Sequence, residues 1–449
     1  MQAVLARIDA VNPSVNAIVT LTRDAALRDA RRATTSLRRG STLPPLFGVP
    51  VGIKDVTPTK GIRTIYGSKL FESHVPDEDP LVVQRLRAAG AIVIGKTNTP
   101  EFAFGPNTVN AVFGATRNPW NLALTAGGSS GGSAAALATG MCPLAEGTDL
   151  GGSLRGPASY CGVVGFRTTP GLIPRYPSVL AWDTYSVEGP MARTVADSAL
   201  MLSVRAGIDE RSPISYQLDT GDFARAVRAP SVKGWRIAWT PDVAGLMTID
   251  DEVRAVFERA VSGFRSAGAR TEEGGPDFGE VPEIVRLTRG LLMVARHADK
   301  LPEHRAILQP GLVENTEQGL ALTPAEVARG ELLRTRLWQR VIEFLTDRDL
   351  LITPTSATPP FPVEQPHVIE INGRPVGKAM QRSYLTYAFS VLGLPAISIP
   401  CGFTKSGLPV GLQIVGKRCG EAAVLRAAAA FEAAQPWAPH VPPIVARRS

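Results

Sequence analysis

The sequence predicts an α/β fold, in which one large domain holds a central mixed, twisted β-sheet covered by helices on both faces. β-rich runs alternate with helical patterns along most of the chain, which is typical of layered α/β architectures. The 449 residues are 44% hydrophobic and 20% charged, as expected for one sizeable core. No run of 18 or more apolar residues occurs, so no membrane span is expected. The domain is predicted to cover 1–449, with its core at about 46–205, closing strands at about 349–434 and a mainly helical cover at about 270–348.

The N-terminal part is expected to form two helices and two strands. Asn12-Pro13 is expected to end the first helix, because proline disrupts a helix interior. A strand at 17–21 and a basic helix at about 23–39 follow. The next strand is apolar and ends at Lys54, whose side chain either extends outward or is held inside with a lowered pKa. Four apolar residues define the buried face of the first helix: Val4, Leu5, Ile8 and Val11.

The same alternation continues after residue 78. Asp79 is expected to cap a helix with Pro80 at its first position and an end at Gly90. The helical segment 270–348 is expected to cover one side of the sheet and to shape access to a site. The Pro-rich segment 353–366 is interpreted as a surface connection. Further strands are expected near 91–94, 143–146, 235–239, 349–352, 396–399 and 412–415, and further helices near 194–206, 251–267 and 420–434.

Composition argues against several classes of protein. The net charge is +7 with a pI near 9.4, but the basic residues are scattered, which favours a solvated basic surface over nucleic-acid binding. The N-terminus lacks the apolar core of a signal peptide, so a cytoplasmic location without membrane attachment is expected. The four cysteines have no Cys-x-x-Cys spacing, which indicates free thiols. Histidines, cysteines and acids form no ligand-like cluster, so neither a metal nor a cofactor is expected.

Two Gly-Gly-Ser loops near the middle of the chain indicate a functional site. One contains Ser129 and the other Ser153, and a helix-like run and a strand-like run separate them. Glycine lets backbone N–H groups approach a ligand closely. Gly127 and Gly128 are therefore expected to bind substrate, and the two loops are expected to build one site.

Two familiar motifs match this region only in part. Residues 90–97 have the glycine spacing and Lys-Thr of a phosphate-binding loop, but a strand occupies the place of the flexible loop. Residues 128–132 fit the Gly-x-Ser-x-Gly nucleophile elbow of a Ser-His-Asp esterase, but the preceding residues form a poor strand. None of the five histidines follows a strand or a glycine-rich motif. The esterase remains an alternative, and so in principle does a Cys161 nucleophile, although a buried thiol is favoured.

The remaining interpretation is a serine enzyme without histidine. A serine hydroxyl needs a neighbouring base and an oxyanion hole to act as a nucleophile. Residues 149–153 can present consecutive N–H groups while Ser153 attacks. Lys54 is the one ionisable residue at the end of a buried strand that could act as the base, and Ser129 could relay the proton.

Five motifs in order resemble those of the amidase signature family, and the resemblance covers nearly the whole chain except 208–348, where it is weak. The spacing between the two serines, 153 − 129 = 24, is the one the family uses. The closing strands near 393–396 and 411–416 are also similar. The motifs are Gly48–Asp55, Gly95–Phe102, Thr116–Asn121, Gly127–Ser133 and Gly147–Arg155.

This resemblance implies a fold, a mechanism and roles for individual residues. It implies the amidase signature fold and a Ser-cisSer-Lys triad, with Ser153 as the acylated nucleophile, Ser129 as the bridging serine after a cis peptide bond and Lys54 as the general base. It also implies an oxyanion hole in the loop that carries Ser153. The other implied residues are Leu150, Gly151 and Gly152 in the oxyanion hole, Ser130, Thr148, Asp149 and Arg155 as supports, and Phe102 and Phe104 in the acyl pocket.

The resemblance favours a free-standing hydrolase of small amides. Aryl amides, small carboxamides, esters and carbamates (urethanes) are the implied substrates, with no nucleic-acid or membrane partner and a monomeric or homodimeric state. The alternative is the glutaminase subunit of a tRNA-dependent amidotransferase. Such subunits carry a tyrosine-rich helix, whereas the corresponding stretch 329–348 lacks tyrosine. A non-enzymatic binding protein is disfavoured because Lys54, Ser129 and Ser153 are all present.

Overall fold

Helices and strands alternate along the chain in a computed structural model that describes residues 1–38, 42–377 and 383–446. The helices are α1 (Gln2–Val15), α2 (Arg23–Arg38), α3 (Leu81–Ala88), α4 (Gly131–Ala138), α5 (Arg155–Cys161), α6 (Val195–Arg205), α7 (Gly221–Arg228), α8 (Asp251–Ser266), α9 (Val281–His297), α10 (Leu301–His304), α11 (Pro310–Leu320), α12 (Pro324–Leu345), α13 (Tyr384–Ser390), α14 (Glu421–Ala434) and α15 (Pro443–Ala446). The strands are β1 (Ile18–Leu21), β2 (Pro50–Lys54), β3 (Ile92–Thr97), β4 (Val109–Asn110), β5 (Gly114–Ala115), β6 (Arg117–Asn118), β7 (Asn121–Thr125), β8 (Leu144–Asp149), β9 (Val164–Arg167), β10 (Val187–Ala192), β11 (Arg236–Trp239), β12 (Arg270–Glu273), β13 (Leu350–Pro354), β14 (Glu370–Ile371), β15 (Arg374–Pro375), β16 (Ala396–Phe403) and β17 (Pro409–Val415).

Eleven strands form one mixed sheet in the order β1-β3-β2-β8-β10-β9-β16-β17-β13-β11-β12. Strands β3, β2 and β8 are parallel neighbours, as are β13, β11 and β12. The remaining pairs are antiparallel. Since β2 and β8 run in the same direction side by side, their last residues, Lys54 and Asp149, lie at the same edge of the sheet.

Neighbouring residues of the central strands belong to two different hydrophobic clusters. In β3, Val93 joins one cluster while Ile92 and Ile94 join the other, and Leu144 and Ala145 of β8 divide in the same way. Because successive side chains of a strand point to opposite faces, the clusters lie on the two faces of this part of the sheet. Helices α1 and α4 cover one face, and α6, α8 and α14 cover the other. The predicted α/β class with helices on both faces is confirmed.

Four local predictions were wrong. Helix α1 continues through Pro13 to the buried Val15 and ends at Asn16 in the left-handed conformation. Asp79 does not cap α3, which runs from Leu81 to Ala88, short of Gly90. The Asp79 carboxylate instead accepts from the Lys60 N–H at 2.8 Å and pairs with Arg87 at 2.9 Å.

The third correction concerns β3, which extends past residue 94 to Thr97. Its Lys96 is fully buried and donates hydrogen bonds to the Thr57 carbonyl and to Thr59 Oγ1. These partners allow a polar residue to continue a buried strand. The fourth correction concerns the segment 353–366, where Thr355, Ala357 and Phe361 are buried, so that it is not a surface connection.

Among the described residues, no helix combines the length and the apolar composition needed to cross a membrane.

Candidate active site

The two glycine-rich loops and the end of β2 meet at the edge of the sheet. Ser129 and Ser130 directly precede α4, whose N-cap is Ser130. Ser153 lies in the short connection from β8 to α5. The Ser130 N–H donates to the Ser153 carbonyl at 3.1 Å and so joins the two loops. The peptide bond between Gly128 and Ser129 is cis.

Lys54 is fully buried and surrounded by hydroxyl groups. Its Nζ lies 2.6 Å from Ser129 Oγ, 3.0 Å from Ser130 Oγ and 2.9 Å from Thr148 Oγ1. A neutral amine has two N–H bonds and one lone pair, so it can donate to two of these hydroxyls and accept a proton from the third. The alternative that the Lys54 side chain extends outward to solvent is excluded, because the side chain points inward.

Burial determines the charge state of this amine. Desolvation lowers the pKa of Lys54 from 10.5 to about 7, although the nearby carboxylates of Glu146 and Asp149 act in the opposite direction. Glu146 is itself fully buried, and its Oε2 accepts from the Lys54 N–H at 3.1 Å and from Thr57 Oγ1 at 3.1 Å. At neutral pH a large share of the molecules therefore carries an uncharged amine beside Ser129.

A buried ion-pair network holds the loop at 149–153. The Asp149 carboxylate accepts from the Leu154 N–H and pairs with the guanidinium groups of Arg155 and Arg167 at 3.0 and 3.2 Å. Burial alone would raise the pKa of Asp149, but the two arginines hold it well below its usual range. The Asp149 carboxylate is thus charged at neutral pH, and its bonds to Leu154, Arg155 and Arg167 hold the loop in place.

Arg155 also connects this loop to the C-terminal part of the chain. Its Nη1 donates to the Thr386 carbonyl at 3.1 Å and to Gln413 Oε1 at 2.6 Å, and its Nη2 donates to Ser390 Oγ at 2.7 Å. The guanidinium is fully buried. Arg155 therefore holds the loop through Asp149 and the C-terminal residues, and it does not line the cavity.

One of the expected oxyanion donors is already engaged. The Gly152 N–H donates to Asp149 Oδ1 at 2.8 Å, so we correct its assignment as a free donor. Among the described residues, no partner accepts from the N–H groups of Leu150, Gly151 or Ser153. Gly152 has φ +123, and an added Cβ would lie 2.3 Å from Thr386 Oγ1. Its contribution is therefore to the shape of the loop.

A cavity of about 1240 Å³ opens in front of these loops. Ser129 and Ser153 both line it. Lys54, Ser130 and Arg155 lie behind this wall. The other predicted site residues that line the cavity are Phe102, Phe104, Gly127, Gly128, Thr148, Asp149, Leu150, Gly151 and Gly152.

Aromatic side chains form one part of the cavity wall. The Phe102 ring is stacked with Tyr66 at 6.4 Å and meets Phe71 edge-on at 6.0 Å between ring centroids. The Phe102 ring also lies 5.2 Å from the His297 ring, between centroids. Burial lowers the pKa of His297 to about 3, so its imidazole is neutral at neutral pH. The wall can therefore accept a flat apolar group.

Sequence reasoning missed several residues of the site. Glu146 interrupts the apolar run of β8, and a carboxylate in such a strand is a signal that could have found it. Tyr66, Arg289, His297 and Tyr387 line the cavity but belong to no motif. Three of them come from segments that are far from the glycine-rich loops in sequence.

The described residues include no group of three His, Cys, Asp or Glu side chains placed to hold a metal ion. The candidate base at Ser129 is the Lys54 amine, which is not the arrangement of a Ser-His-Asp esterase. Cys161 is fully buried, and burial raises the pKa of its thiol above the usual range. A buried protonated thiol is a poor nucleophile.

Comparisons with known proteins identify the family of the chain. The family model described as Amidase matches residues 1–425. An acylamidase of Rhodococcus erythropolis is 40% identical over 98% of this chain and 92% of its own length. A glutamyl-tRNA(Gln) amidotransferase subunit of Geotalea daltonii is 34% identical over 97% of this chain and 93% of its own length. The crystal structure of a bacterial aryl acylamidase superposes with a TM-score of 0.92 at 28% identity, covering 100% of this chain and 94% of that one. The chain therefore belongs to the amidase signature family.

Proposed function

We propose that the protein hydrolyses the C–N bond of carboxamides through an acyl-enzyme on Ser153. One observation carries the proposal. A buried lysine amine with a pKa of about 7 lies 2.6 Å from Ser129 Oγ, and Ser129 shares one cavity with Ser153. A base, a relay hydroxyl and a nucleophile are the groups that acyl transfer without histidine requires.

In the proposed first step, Ser153 Oγ attacks the amide carbonyl carbon. Its proton passes to Ser129, while the Ser129 proton passes to the neutral Lys54 amine. The N–H groups of Leu150, Gly151 and Ser153 are the proposed donors to the oxyanion. Such donors stabilise the charge that develops in the transition state.

In the proposed second step, the C–N bond breaks and the leaving nitrogen takes up the proton through Ser129. Water then attacks the acyl ester, with Lys54 again accepting a proton through Ser129. The carboxylic acid leaves, and both serines recover their hydroxyl protons. No cofactor takes part in this scheme.

We propose aryl amides as the preferred substrates and aryl carbamates as a second class. The aromatic wall of the cavity around Phe102 supports an aromatic group on the substrate. A carbamate presents the same carbonyl to the same loop; breaking its C–O bond would release the phenol, which takes up the proton, and leave a carbamoyl-enzyme on Ser153. Water would release a carbamic acid from it, which decomposes to carbon dioxide and an amine. The similarity to an acylamidase and to an aryl acylamidase points in the same direction.

The second candidate is the glutaminase component of a tRNA-dependent amidotransferase. Its supporting observation is the 34% identity to the Geotalea daltonii protein over nearly the whole chain. Free glutamine is small and highly polar, whereas the cavity of about 1240 Å³ is much larger and has an aromatic patch around Phe102. We therefore place it second.

A matched substrate panel tests both candidates. An aryl amide, an aryl carbamate, an aryl ester and free glutamine are each incubated with the wild type and with Ser153→Ala, Ser129→Ala and Lys54→Ala. We expect amide and carbamate turnover in the wild type and its loss in all three variants. The exposed, unrelated change Leu332→Ala serves as the control. Cleavage of glutamine alone would favour the amidotransferase component, and ester turnover that survives Ser153→Ala would overturn the proposal.

A further inference from the structure

A buried arginine on the cavity wall lacks an acidic partner. Arg289 of α9 is 8% exposed and lines the same cavity as Ser153. Its Nε donates to the Tyr387 hydroxyl at 3.0 Å, its Nη1 donates to Asn315 Oδ1, and its Cζ lies 4.8 Å from the centre of the Phe104 ring. All three neighbours are neutral. No carboxylate of the described residues pairs with it, although a buried charge is normally paired.

These neighbours hold the guanidinium in a fixed position. Asn315 Nδ2 donates to the Gly311 carbonyl at 3.0 Å, which orients the amide toward Arg289. Phe104 packs against Gly311, where an added Cβ would lie 3.1 Å from its ring. Gln309 Nε2 donates to the Phe104 carbonyl at 3.1 Å. One face and one side of the guanidinium are thus occupied, while Nη2 makes no hydrogen bond to a described residue.

The same arginine lies close to the loop that carries Ser153. The Tyr387 ring packs directly on Gly151, since a Cβ on Gly151 would lie 2.1 Å from Tyr387 Cζ. The hydroxyl bonded to this same ring carbon accepts from Arg289. One tyrosine side chain therefore separates the guanidinium from the loop, and a single small molecule could reach both.

The other cations on the wall each contact a carboxylate. Arg175 and Arg296 both pair with Asp183, and Lys300 pairs with Asp299. Glu188 lies 3.8 Å from the buried Arg205. The exposed Glu314 accepts from Gln318, one turn further along its own helix. Among the described cations of the wall, Arg289 is therefore the one with no carboxylate within ion-pair distance, and a substrate anion could supply it.

We propose that Arg289 binds a carboxylate of the substrate, so that amides bearing a carboxylate are preferred over their neutral analogues. This inference rests on the proposed amide hydrolysis. The planar guanidinium matches the two oxygens of a carboxylate, with Nη2 and the second hydrogen of Nη1 as donors. The anion would lie on the side of the cavity formed by α9 and α11, away from Lys54.

Two substrate pairs that differ only in charge test the proposal. The first pair is the mono-4-nitroanilide of glutaric acid and its terminal carboxamide, with the charge on the acyl part. The second is 4-acetamidobenzoate and 4-acetamidobenzamide, with the charge on the amine part. The measured quantity is the ratio of kcat/KM for the acid to kcat/KM for the amide within each pair.

We expect the wild type to favour the acid in at least one pair, and Arg289→Gln to lower that ratio about 10- to 100-fold, as the loss of a charge-assisted hydrogen bond implies. Arg289→Lys keeps the positive charge but loses the two parallel N–H donors of the guanidinium. Its ratio should lie between those of the wild type and of Arg289→Gln. Arg286→Gln, an exposed change on the same helix, should leave the ratio unchanged. A ratio that is the same in the wild type and in both Arg289 variants, or a preference for the neutral member of both pairs, would overturn the inference.

A binding measurement separates this inference from the proposed function. Calorimetric titration with 4-phenylbutyrate should show at least tenfold weaker binding to Arg289→Gln than to the wild type. If Arg289→Gln does not fold, Arg289→Lys is compared with the wild type in its place. Equal binding together with turnover of neutral amides would refute the anion site and leave the hydrolase. Binding that depends on Arg289 in a protein without amidase activity would support the anion site and refute the proposed hydrolase.

Discussion

We expect the hydrolysis of a neutral aryl amide to depend on the charge of Lys54, and therefore on pH. Protonated Lys54 has no lone pair and cannot take a proton from Ser129. The amine is fully buried, and burial lowers its pKa from 10.5 to about 7. The perturbation is thus the pH itself, varied between 5 and 10 on the wild-type protein.

The size of the effect follows from this shift. A change from 10.5 to about 7 corresponds to about 5 kcal/mol of lost stabilisation of the charged form. At pH 7 about half of the lysines would be neutral, compared with about one in 3000 for an unshifted amine. Burial therefore raises the concentration of the active base by roughly a thousandfold.

The assay is kcat/KM for an aryl amide as a function of pH. Because the neutral form is the active one, activity should rise with pH through about 7. It should fall about tenfold for each unit below the inflection and level off above it. An inflection near the ordinary lysine pKa, or a flat profile across this range, would refute the assignment of Lys54 as the base.

Glu146→Gln should move the same inflection in a known direction. The Glu146 carboxylate raises the pKa of Lys54, so its removal should shift the inflection to lower pH by about one unit. Glutamine keeps an oxygen for the Lys54 N–H and for Thr57. A shift to higher pH would contradict the electrostatic argument.

Three further outcomes follow from packing and burial. Gly151→Ala should reduce kcat more than a hundredfold and lower the melting temperature, because its Cβ would clash with the buried Tyr387 ring, and near-normal kcat would show that the loop position is unimportant. Asp149→Asn should destabilise the protein by about 3–5 kcal/mol in urea unfolding, since it leaves two buried arginines without their shared counter-charge, whereas unchanged stability would contradict the ion-pair network. Iodoacetamide should label Cys419 in the native protein and Cys161 only after unfolding, as their burial indicates, and native labelling of Cys161 in mass spectra would be inconsistent with this packing.

The glycine-rich loops and the strand ending at Lys54 could be predicted from sequence, because the signals are local. Residues 125–165 contain both serines and the glycines that shape their loops. Positive backbone angles at Gly127 and Gly152 are conformations that glycine adopts without strain. The regular alternation of β-rich and helical patterns was likewise sufficient for the fold class.

Other parts depend on contacts between distant segments and leave no local pattern. Arg289 lies in an ordinary amphipathic helix, and only the packing of α9 against α11 and α13 brings it to the cavity. Pro13 is a helix breaker by local rules, yet the buried Val15 keeps α1 intact. Lys96 continues β3 because Thr57 and Thr59, almost 40 residues earlier, accept its hydrogen bonds.

The hydrogen bonds of Arg155 to the C-terminal part of the chain link activity to the completeness of the fold. Arg155 and Gln413 are 258 residues apart in sequence, and Thr386 and Ser390 lie between them. During synthesis, Ser153 leaves the ribosome before Thr386, Ser390 and Gln413 have been made. The loop that carries Ser153 then still lacks the partners that fix Arg155. We therefore expect hydrolytic capacity to arise only when the last strands have been added to the sheet, and a chain that loses β16 and β17 should lose its activity with them.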